Sequence, residues 1–230
     1  MFNKKRSLEM LLGESRSLFF RDALEYINFE KVPGDILEFG VYTGKTLATF
    51  TYLNQLRPDL KFSDRRVVGF DWFKGLKGGT EKHPRWSDDS CTINKDPTNP
   101  VANIGTPVTP ELVSNLFKYF GLNKPLLEIG DYKEILPSIV GIDKKYNSVA
   151  LVHIDCDLYE PTIAILKSIE PILQDGTIIL FDDWFHYKAN IQKGEARAFY
   201  EWLESVGGKW KAVHYRTYGI FCNSFILSKS

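Results

Sequence analysis

The sequence predicts an α/β fold in which helices cover a doubly wound, mostly parallel sheet of seven strands. Five short apolar segments alternate with helical segments along most of the chain, an alternation typical of parallel sheets. The last two extended segments are joined by a short turn and form an antiparallel hairpin. With 230 residues, 43% of them hydrophobic, the chain can bury a sizeable core, so we expect one domain over residues 1–230.

The elements of the first half follow from apolar spacing and from the residues that end helices. An N-terminal helical segment is predicted within residues 1–32, because apolar residues recur there at helical spacing. Strands are predicted at residues 36–39 and 67–70, with a helix at 45–56 between them. Residues 72–108 have no clear period and are rich in Gly, Asp, Asn and Pro. We expect a lid or inserted loop there.

The second half continues the alternation. Thr109, Pro110 and Glu111 are typical of a helix start, and Gly121 of its end. A helix is predicted to begin at Pro161, and a turn at residues 175–176 leads into the fifth strand. Strands are predicted at residues 126–129, 149–154, 177–181, 210–215 and 220–227, and a further helix at 196–206. The strand at 149–154 is apolar throughout, which predicts burial on both faces.

Charge and composition argue against several classes of protein. The 29 basic and 29 acidic residues give a formal net charge of zero, so a nucleic-acid partner is not expected. No segment approaches the ~18 apolar residues of a membrane-spanning helix, and the apolar run near the start is too short for a secretory signal. The three cysteines are widely spaced, which argues against a disulfide framework. We expect a soluble, cytoplasmic protein, and a homodimer stays open.

The turn after the first strand has the features of a ligand-binding loop. In doubly wound sheets, ligands bind where strands end, and Gly40 and Gly44 allow the backbone to approach a ligand closely. Glu38 would repel a phosphate and suits a cationic or amino-acid-bearing ligand better. Asp71, at the end of the second strand, is placed to accept hydrogen bonds from ribose hydroxyls. Considered alone, the glycine turn is explained equally well by packing of a helix on a strand.

A P-loop is the alternative for this turn, because residues 40–46 read GVYTGKT. A P-loop needs four residues between its first glycine and Gly-Lys-Thr, and only three follow Gly40. The loop is one residue short for amides that wrap a phosphate. Nucleotide hydrolysis therefore stays a minor alternative.

Four aspartates follow the fourth and fifth strands: Asp155, Asp157, Asp182 and Asp183. Neighbouring strands would bring these carboxylates together, at a large cost in repulsion and desolvation unless a cation is present. An all-oxygen set favours a hard ion, Mg²⁺ first, with Mn²⁺ or Ca²⁺ as alternatives. Capping of the following helices is the other explanation for Asp157 and Asp183.

The segments DILEFGVYTGKT, VVGFDWFKGL, VALVHIDCDLYEPT and GTIILFDDWF resemble the macrocin O-methyltransferase (TylF-type) family, which methylates sugar hydroxyls of natural products. The resemblance implies a class I methyltransferase fold that binds S-adenosylmethionine. It implies cofactor contacts at Glu38, Phe39, Gly40, Val41, Tyr42, Gly44, Thr46, Asp71, Trp72, Asp131, Tyr132 and Asp155. It further implies that Asp155, Asp182 and Asp183 bind the metal and that Asp157 is the general base.

Several other residues near these motifs have two explanations. His186 is a rival base, whereas His153, inside an apolar strand, is predicted to be a core or wall histidine. The aromatic residues around the motifs (Trp72, Phe73, Tyr159, Trp184 and Phe185) either stack on an acceptor or pack in the core. Lys193, Glu195 and Arg197 are predicted to form a solvated helix face. The acceptor is a small molecule with a hydroxyl, a sugar first, and a phenolic, catechol-type acceptor is the alternative.

Overall fold

The computed structural model of the chain describes residues 13–55, 65–76, 81 and 99–230. The part of the predicted N-terminal helical segment before residue 13 lies outside the described residues. So do Cys91 and most of the predicted loop at 72–108. The prediction that residues 1–230 form a single domain stays a prediction.

The described residues contain six helices and seven strands, together with short helical turns at Glu170–Ile172 and His186–Ala189. The helices are α1 (Glu14–Phe29), α2 (Lys45–Gln55), α3 (Pro110–Phe120), α4 (Tyr132–Ile139), α5 (Tyr159–Ile169) and α6 (Gly194–Ser205). The strands are β1 (Asp35–Phe39), β2 (Val67–Asp71), β3 (Leu126–Ile129), β4 (Val149–Ile154), β5 (Leu173–Phe181), β6 (Trp210–Thr217) and β7 (Asn223–Lys229).

The seven strands form one sheet in the order β3-β2-β1-β4-β5-β7-β6. Strands β1 to β5 are parallel, whereas β7 pairs antiparallel with both β5 and β6. The order reverses direction at β1 and β4, and in such sheets ligands bind outside the carboxyl ends of the strands at that point. The predicted doubly wound sheet with a terminal hairpin is confirmed.

The two faces of the sheet are covered by different helices. Apolar residues of α1, α2 and α3 pack on one face, and those of α4, α5 and α6 pack on the other. Because β4 lies in the middle of the sheet, every residue of Val149–Ile154 is buried, as predicted. None of the helices in the described ranges is long and apolar enough to cross a membrane.

Helix α3 confirms the sequence signals at its ends. The Thr109 hydroxyl accepts a hydrogen bond from the Leu112 amide at 3.2 Å and caps the helix, with Pro110 in its first turn. Gly121 ends it in the left-handed conformation, with φ of 68°.

Three elements differ from the prediction because of a proline or a turn, and β7 begins three residues later than predicted, at Asn223. The sequence predicts no helix at α4, because proline normally interrupts a helix and Pro137 lies near its end. Helix α5 begins at Tyr159, two residues before Pro161, so the proline lies in its first turn. Strand β5 begins at Leu173, and the predicted turn at residues 175–176 lies inside it, where the register against β4 shifts.

Candidate active site

The ends of β1, β4 and β5 bring three predicted site residues side by side. Phe39 pairs with Ile154, and Ile154 with Phe181, so the residues after these strands are neighbours. The Asp155 amide donates to the Phe39 carbonyl at 2.8 Å, and the Asp182 amide to the Ile154 carbonyl at 3.0 Å. Gly40, Asp155 and Asp182 therefore share one edge of the sheet.

Asp155 and Asp182 form a group with His153. One potential ligand atom from each of the three side chains lies within 4.8 Å of the other two. His153 is completely buried, as expected for a core or wall histidine, and its Nδ1 lies 3.1 Å from Glu38 Oε1. Its Nε2 lies 3.6 Å from Asp182 Oδ1. Burial lowers the pKa of His153 well below its usual value, and Arg16 lowers it further, so this imidazole is neutral.

Asp157 and Asp183 form a second acidic group beside the first. Their carboxyl groups share a hydrogen bond. Asp183 also faces His186, whose Nδ1 lies 3.4 Å from Asp183 Oδ1. Asp157 has a left-handed backbone, with φ of 62°, a conformation that aspartate tolerates better than most residues. The structure thus separates the two adjacent aspartates, placing Asp182 with Asp155 and Asp183 with Asp157.

Burial and mutual repulsion raise the pKa values of these carboxyls. Burial raises the pKa of Asp155 to about 6, against the opposing effect of Arg16. Burial and the charge of Asp155 raise the pKa of Asp157 to about 7. Burial and the charge of Asp157 raise the pKa of Asp183 well above its usual value. Such a cluster is poised to accept either protons or a cation near neutral pH.

Glu195 is a fifth carboxyl at this site, and the prediction that it lies on a solvated helix face is wrong. Only 1% of Glu195 is exposed, and its Oε2 accepts a hydrogen bond from the Asp183 amide at 2.9 Å. Helical spacing is the signal that places it inside, because Phe199 and Trp202, four and seven residues later, are buried on the same face. Lys193 is exposed and Arg197 half-buried.

The predicted cofactor turn is connected to the end of β2. Asp71 Oδ2 accepts hydrogen bonds from the amides of Val41 and Tyr42, at 2.8 and 3.1 Å. Asp71 Oδ1 accepts one from the Phe73 amide at 2.8 Å. A carboxylate oxygen has two lone pairs, so Oδ1 retains the capacity to accept a further bond, as a ribose hydroxyl would require.

The two glycines of the turn are explained by backbone geometry and packing. Gly40 has φ of 90°, and a Cβ there would lie 1.8 Å from the Asp155 carbonyl oxygen. Gly44 has φ of 83°, and its Cβ would lie 2.6 Å from the Val113 side chain. Both positions therefore require glycine whether or not a ligand binds. Phe39 is buried and stacks on Phe70 with ring centroids 4.7 Å apart, so its side chain belongs to the core.

The remaining predicted cofactor residues have structural partners. Thr46 is buried in the first turn of α2. The Trp72 indole donates to the Gly75 carbonyl. Asp131 caps α4 by accepting from the Lys133 amide at 2.9 Å, and the Tyr132 hydroxyl donates to the Phe70 carbonyl at 3.1 Å.

Two predicted acceptor-stacking aromatics also pack against the protein. Trp184 lies in the core, with its ring centroid 4.9 Å from that of Phe225. The Arg197 guanidinium lies 4.0 Å from the centroid of the Tyr159 ring.

Two further residues reach the acidic site from distant parts of the sequence. Arg16, in the first turn of α1, forms an ion pair with Asp182. Glu81, within the predicted loop, accepts hydrogen bonds from the Gly194 amide at 2.6 Å and from Arg197 at 3.2 Å. Neither belongs to a recognisable motif, so no local sequence signal predicts these contacts.

The family model "Macrocin-O-methyltransferase (TylF)" matches residues 6–202. The chain belongs to the TylF family. The match spans the glycine turn, the ends of β4 and β5 and most of α6, and so contains every predicted site residue. Membership of a methyltransferase family also removes the support for the P-loop alternative.

Individual relatives agree with this assignment. The TylF-family chain is 26% identical over 176 residues to the 8-demethyl-8-(2,3-dimethoxy-alpha-L-rhamnosyl)-tetracenomycin-C 4'-O-methyltransferase of Streptomyces olivaceus. The alignment covers 76% of this chain but only 62% of that relative.

Solved structures show the same fold. The O-methyltransferase NovP superposes with a TM-score of 0.69 at 19% identity, covering 94% of this chain and 80% of NovP. The calicheamicin methyltransferase CalS11 has a TM-score of 0.56 at 26% identity, covering 91% of this chain and 77% of CalS11. A second CalS11 structure is described as a TDP-rhamnose 3'-O-methyltransferase.

Proposed function

We propose that this TylF-family protein is an S-adenosylmethionine- and divalent-metal-dependent O-methyltransferase that acts on a sugar hydroxyl of a natural product. The observation that carries the proposal is the convergence of Asp155 and Asp182 beside Asp157 and Asp183 at the carboxyl edge of the sheet. A sugar as the acceptor is supported by the names of two relatives, which mention a rhamnosyl compound and TDP-rhamnose.

The donor set at this edge fits a hard divalent cation. Asp155 and Asp182 offer carboxylate oxygens close enough to share one ion, and Asp183 follows directly in the chain. Buried carboxyls whose pKa values are raised gain most from a positive charge, which would return those values toward the normal range. Asp155 and Asp182 would hold the ion, with Asp183 as the third ligand that the family resemblance implies. A Mg²⁺ there would supply a positive charge that orients the acceptor and makes its hydroxyl proton easier to remove.

The methyl donor is proposed to lie across the ends of β1 and β2. Glu38 and Asp155 present acids near the ammonium and sulfonium groups, and Asp71 presents an oxygen to the ribose. The turn at residues 40–44 stays close to the sheet because its amides are bound to Asp71. These residues fix the donor, so that its methyl group can face the acceptor oxygen in line with the bond that breaks.

Asp157 is proposed to remove the acceptor proton. Its pKa of about 7 places proton uptake in the range where a general base is most effective. The hydrogen bond with Asp183 and the left-handed backbone hold the carboxyl group at the edge of the acidic site. His186 is the rival base, and its contact with Asp183 also suits it to orient that carboxyl group.

Methyl transfer to a panel of acceptors tests the proposal. We expect labelled methyl transfer from S-adenosylmethionine to rhamnosylated compounds or TDP-rhamnose in the presence of Mg²⁺. EDTA should abolish it, and excess Mg²⁺ should restore it. Transfer to catechols and not to sugars would support the phenolic alternative. Undiminished turnover in EDTA would refute the proposed metal dependence.

A further inference from the structure

Arg16 is the one basic residue described at the acidic site that neither the family resemblance nor the proposed chemistry uses. It comes from the first turn of α1, far in sequence from the strands that form the site, and its guanidinium forms an ion pair with Asp182. Its Nη2 also lies 3.7 Å from Cys222 Sγ. Only 24% of the Arg16 side chain is exposed.

Packing holds this guanidinium at the site. Its central carbon lies 5.9 Å from the centroid of the Phe20 ring and 5.7 Å from that of Tyr218, both buried. Cation–π contacts of this kind stabilise a partly desolvated arginine. Cys222 Sγ in turn lies 3.4 Å from Asp182 Oδ1, so the arginine, the thiol and the carboxylate form one group.

The same carboxylate is a proposed metal ligand. Asp182 and Asp155 offer oxygens within 4.8 Å of each other, so a cation bound by both would lie within a few ångströms of any guanidinium paired with Asp182. Like charges at that separation repel strongly where water is largely excluded. Arg16 and a divalent ion therefore compete for Asp182.

A displaced Arg16 has a second partner available once the methyl donor binds. The amino-acid part of the donor carries an ammonium and a carboxylate. Glu38 and Asp155, at the neighbouring ends of β1 and β4, suit the ammonium and would repel the carboxylate. A cation beside these acids must balance that carboxylate, and arginine binds carboxylates through two parallel hydrogen bonds.

We propose that Arg16 exchanges partners, leaving Asp182 when the metal binds and pairing with the α-carboxylate of the methyl donor. This inference rests on the proposed function. It makes metal and donor binding cooperative, because the donor carboxylate draws the guanidinium away from the metal, and the metal releases the guanidinium from Asp182. By linkage the two ligands must strengthen each other by the same factor.

Binding of Mn²⁺ to the intact chain, followed by electron paramagnetic resonance, tests the exchange without catalysis. The titration is done alone, with S-adenosylhomocysteine, and with 5'-methylthioadenosine, which has the nucleoside but lacks the amino-acid part. We expect S-adenosylhomocysteine to tighten Mn²⁺ binding about tenfold and 5'-methylthioadenosine to leave it unchanged. Equal tightening by both compounds would overturn the role of the carboxylate, with no variant required.

Variants of Arg16 test the competition itself. Arg16→Met keeps the aliphatic stem and removes the charge, so we expect Mn²⁺ alone to bind about tenfold more tightly and S-adenosylhomocysteine to lose its effect on Mn²⁺. Arg16→Lys retains a charge, and its Mn²⁺ affinity should stay near that of the wild type. Arg21→Met, on the exposed side of the same helix, is the matched control and should change neither affinity.

The outcomes separate this inference from the proposed function. Unchanged or weaker Mn²⁺ binding by a folded Arg16→Met chain overturns the competition, while the metal site itself stands. If S-adenosylhomocysteine still tightens Mn²⁺ binding in that variant, the proposed pairing of Arg16 with the α-carboxylate of the donor is wrong. If no form of the chain binds Mn²⁺, the proposed metal dependence fails, and this inference fails with it.

Discussion

The carboxyl groups of Asp157 and Asp183 are hydrogen-bonded to each other where β4 and β5 end. A hydrogen bond between two carboxyl groups requires one of them to be protonated, and burial raises the pKa of both. Two adjacent aspartates of one motif, Asp182 and Asp183, thus have different partners. Asp182 belongs with Asp155, and Asp183 with Asp157.

Replacing Asp157 by Asn should lower kcat for methyl transfer by about 10²- to 10⁴-fold, because the amide cannot take the acceptor proton. Binding of S-adenosylhomocysteine should stay within about threefold of the wild type, since Asp157 is not among the proposed donor contacts. Single-turnover rates and calorimetry measure the two effects. The matched control is Asp143→Asn, at an exposed position remote from the site. Full activity of Asp157→Asn across the pH range would eliminate Asp157 as the base and favour His186.

The raised pKa of Asp157 predicts a pH-dependent stability. Its pKa is about 7 in the folded chain and about 4 in an unfolded one, so folding takes up a proton between these values. The stability from this group is fully present below about pH 4 and is lost as pH rises through about 7. Asp157→Asn cannot ionise, so its stability does not fall in this way as pH rises. In EDTA, we expect its Tm to exceed that of the wild type by roughly 3 °C or more at pH 8.

The comparison at low pH provides the control for this effect. At pH 4.5 most of the Asp157 side chain is protonated in the folded state, so the Tm difference between the two proteins should nearly vanish. A difference that is the same at pH 4.5 and pH 8 would contradict the raised pKa. Mg²⁺ should also reduce the difference at pH 8, since a nearby cation stabilises the ionised carboxylates.

Metal binding should depend on Asp182. At Mg²⁺ about 100-fold above its Kd, the wild-type Tm should rise by roughly 5 °C, because the ion binds only the folded chain. Asp182→Asn should abolish most of this rise, whereas Asp143→Asn should retain it. Differential scanning calorimetry with and without EDTA measures the effect. An equal Mg²⁺-induced rise in Asp182→Asn would show that Asp182 is not a ligand.

The number and type of the strands could be predicted because they follow from local patterns. Continuous apolar character places β4 in the centre of the sheet, and the cap residues Thr109 and Gly121 fix the ends of α3. The aspartates could be assigned to one edge because parallel strands end together. These predictions need no knowledge of distant contacts.

The partners of individual side chains could not be predicted in this way. Arg16 reaches Asp182 across 166 positions, and nothing near either residue indicates the contact. Glu195 looks like a surface acid beside Lys193 and Arg197, although its helical spacing from buried aromatics places it inside. Pro137 argues against a helix in the sequence, so α4 is not predicted. The helix forms because burial of Leu136 stabilises it enough to tolerate a proline near its end.

Gly40→Ala should destabilise the chain severely. A Cβ at Gly40 would lie 1.8 Å from the Asp155 carbonyl oxygen, which is backbone of the central strand edge and cannot move aside cheaply. Gly105 is a matched control, since its φ of 88° nearly equals the 90° of Gly40 and nothing lies within 4 Å of its added Cβ. We expect Gly105→Ala to lose about 1 kcal/mol and Gly40→Ala about 4 kcal/mol or more of the free energy of unfolding. Urea denaturation measures both. Equal losses would contradict the close approach of the turn to β4.

Asp71→Asn should disrupt the cofactor turn although it conserves shape. Both oxygens of Asp71 accept backbone N–H groups, Oδ2 from Val41 and Tyr42 and Oδ1 from Phe73. An asparagine must turn its NH₂ group toward one of these donors in either orientation, so at least one amide loses its acceptor. We expect the Kd for S-adenosylhomocysteine to rise about tenfold or more, as one lost hydrogen bond of ~1.5 kcal/mol implies. Asp143→Asn, at an exposed position outside the predicted cofactor contacts, is the control. Calorimetric titration of both variants measures the difference, and an unchanged Kd in Asp71→Asn would show that the turn does not hold the donor.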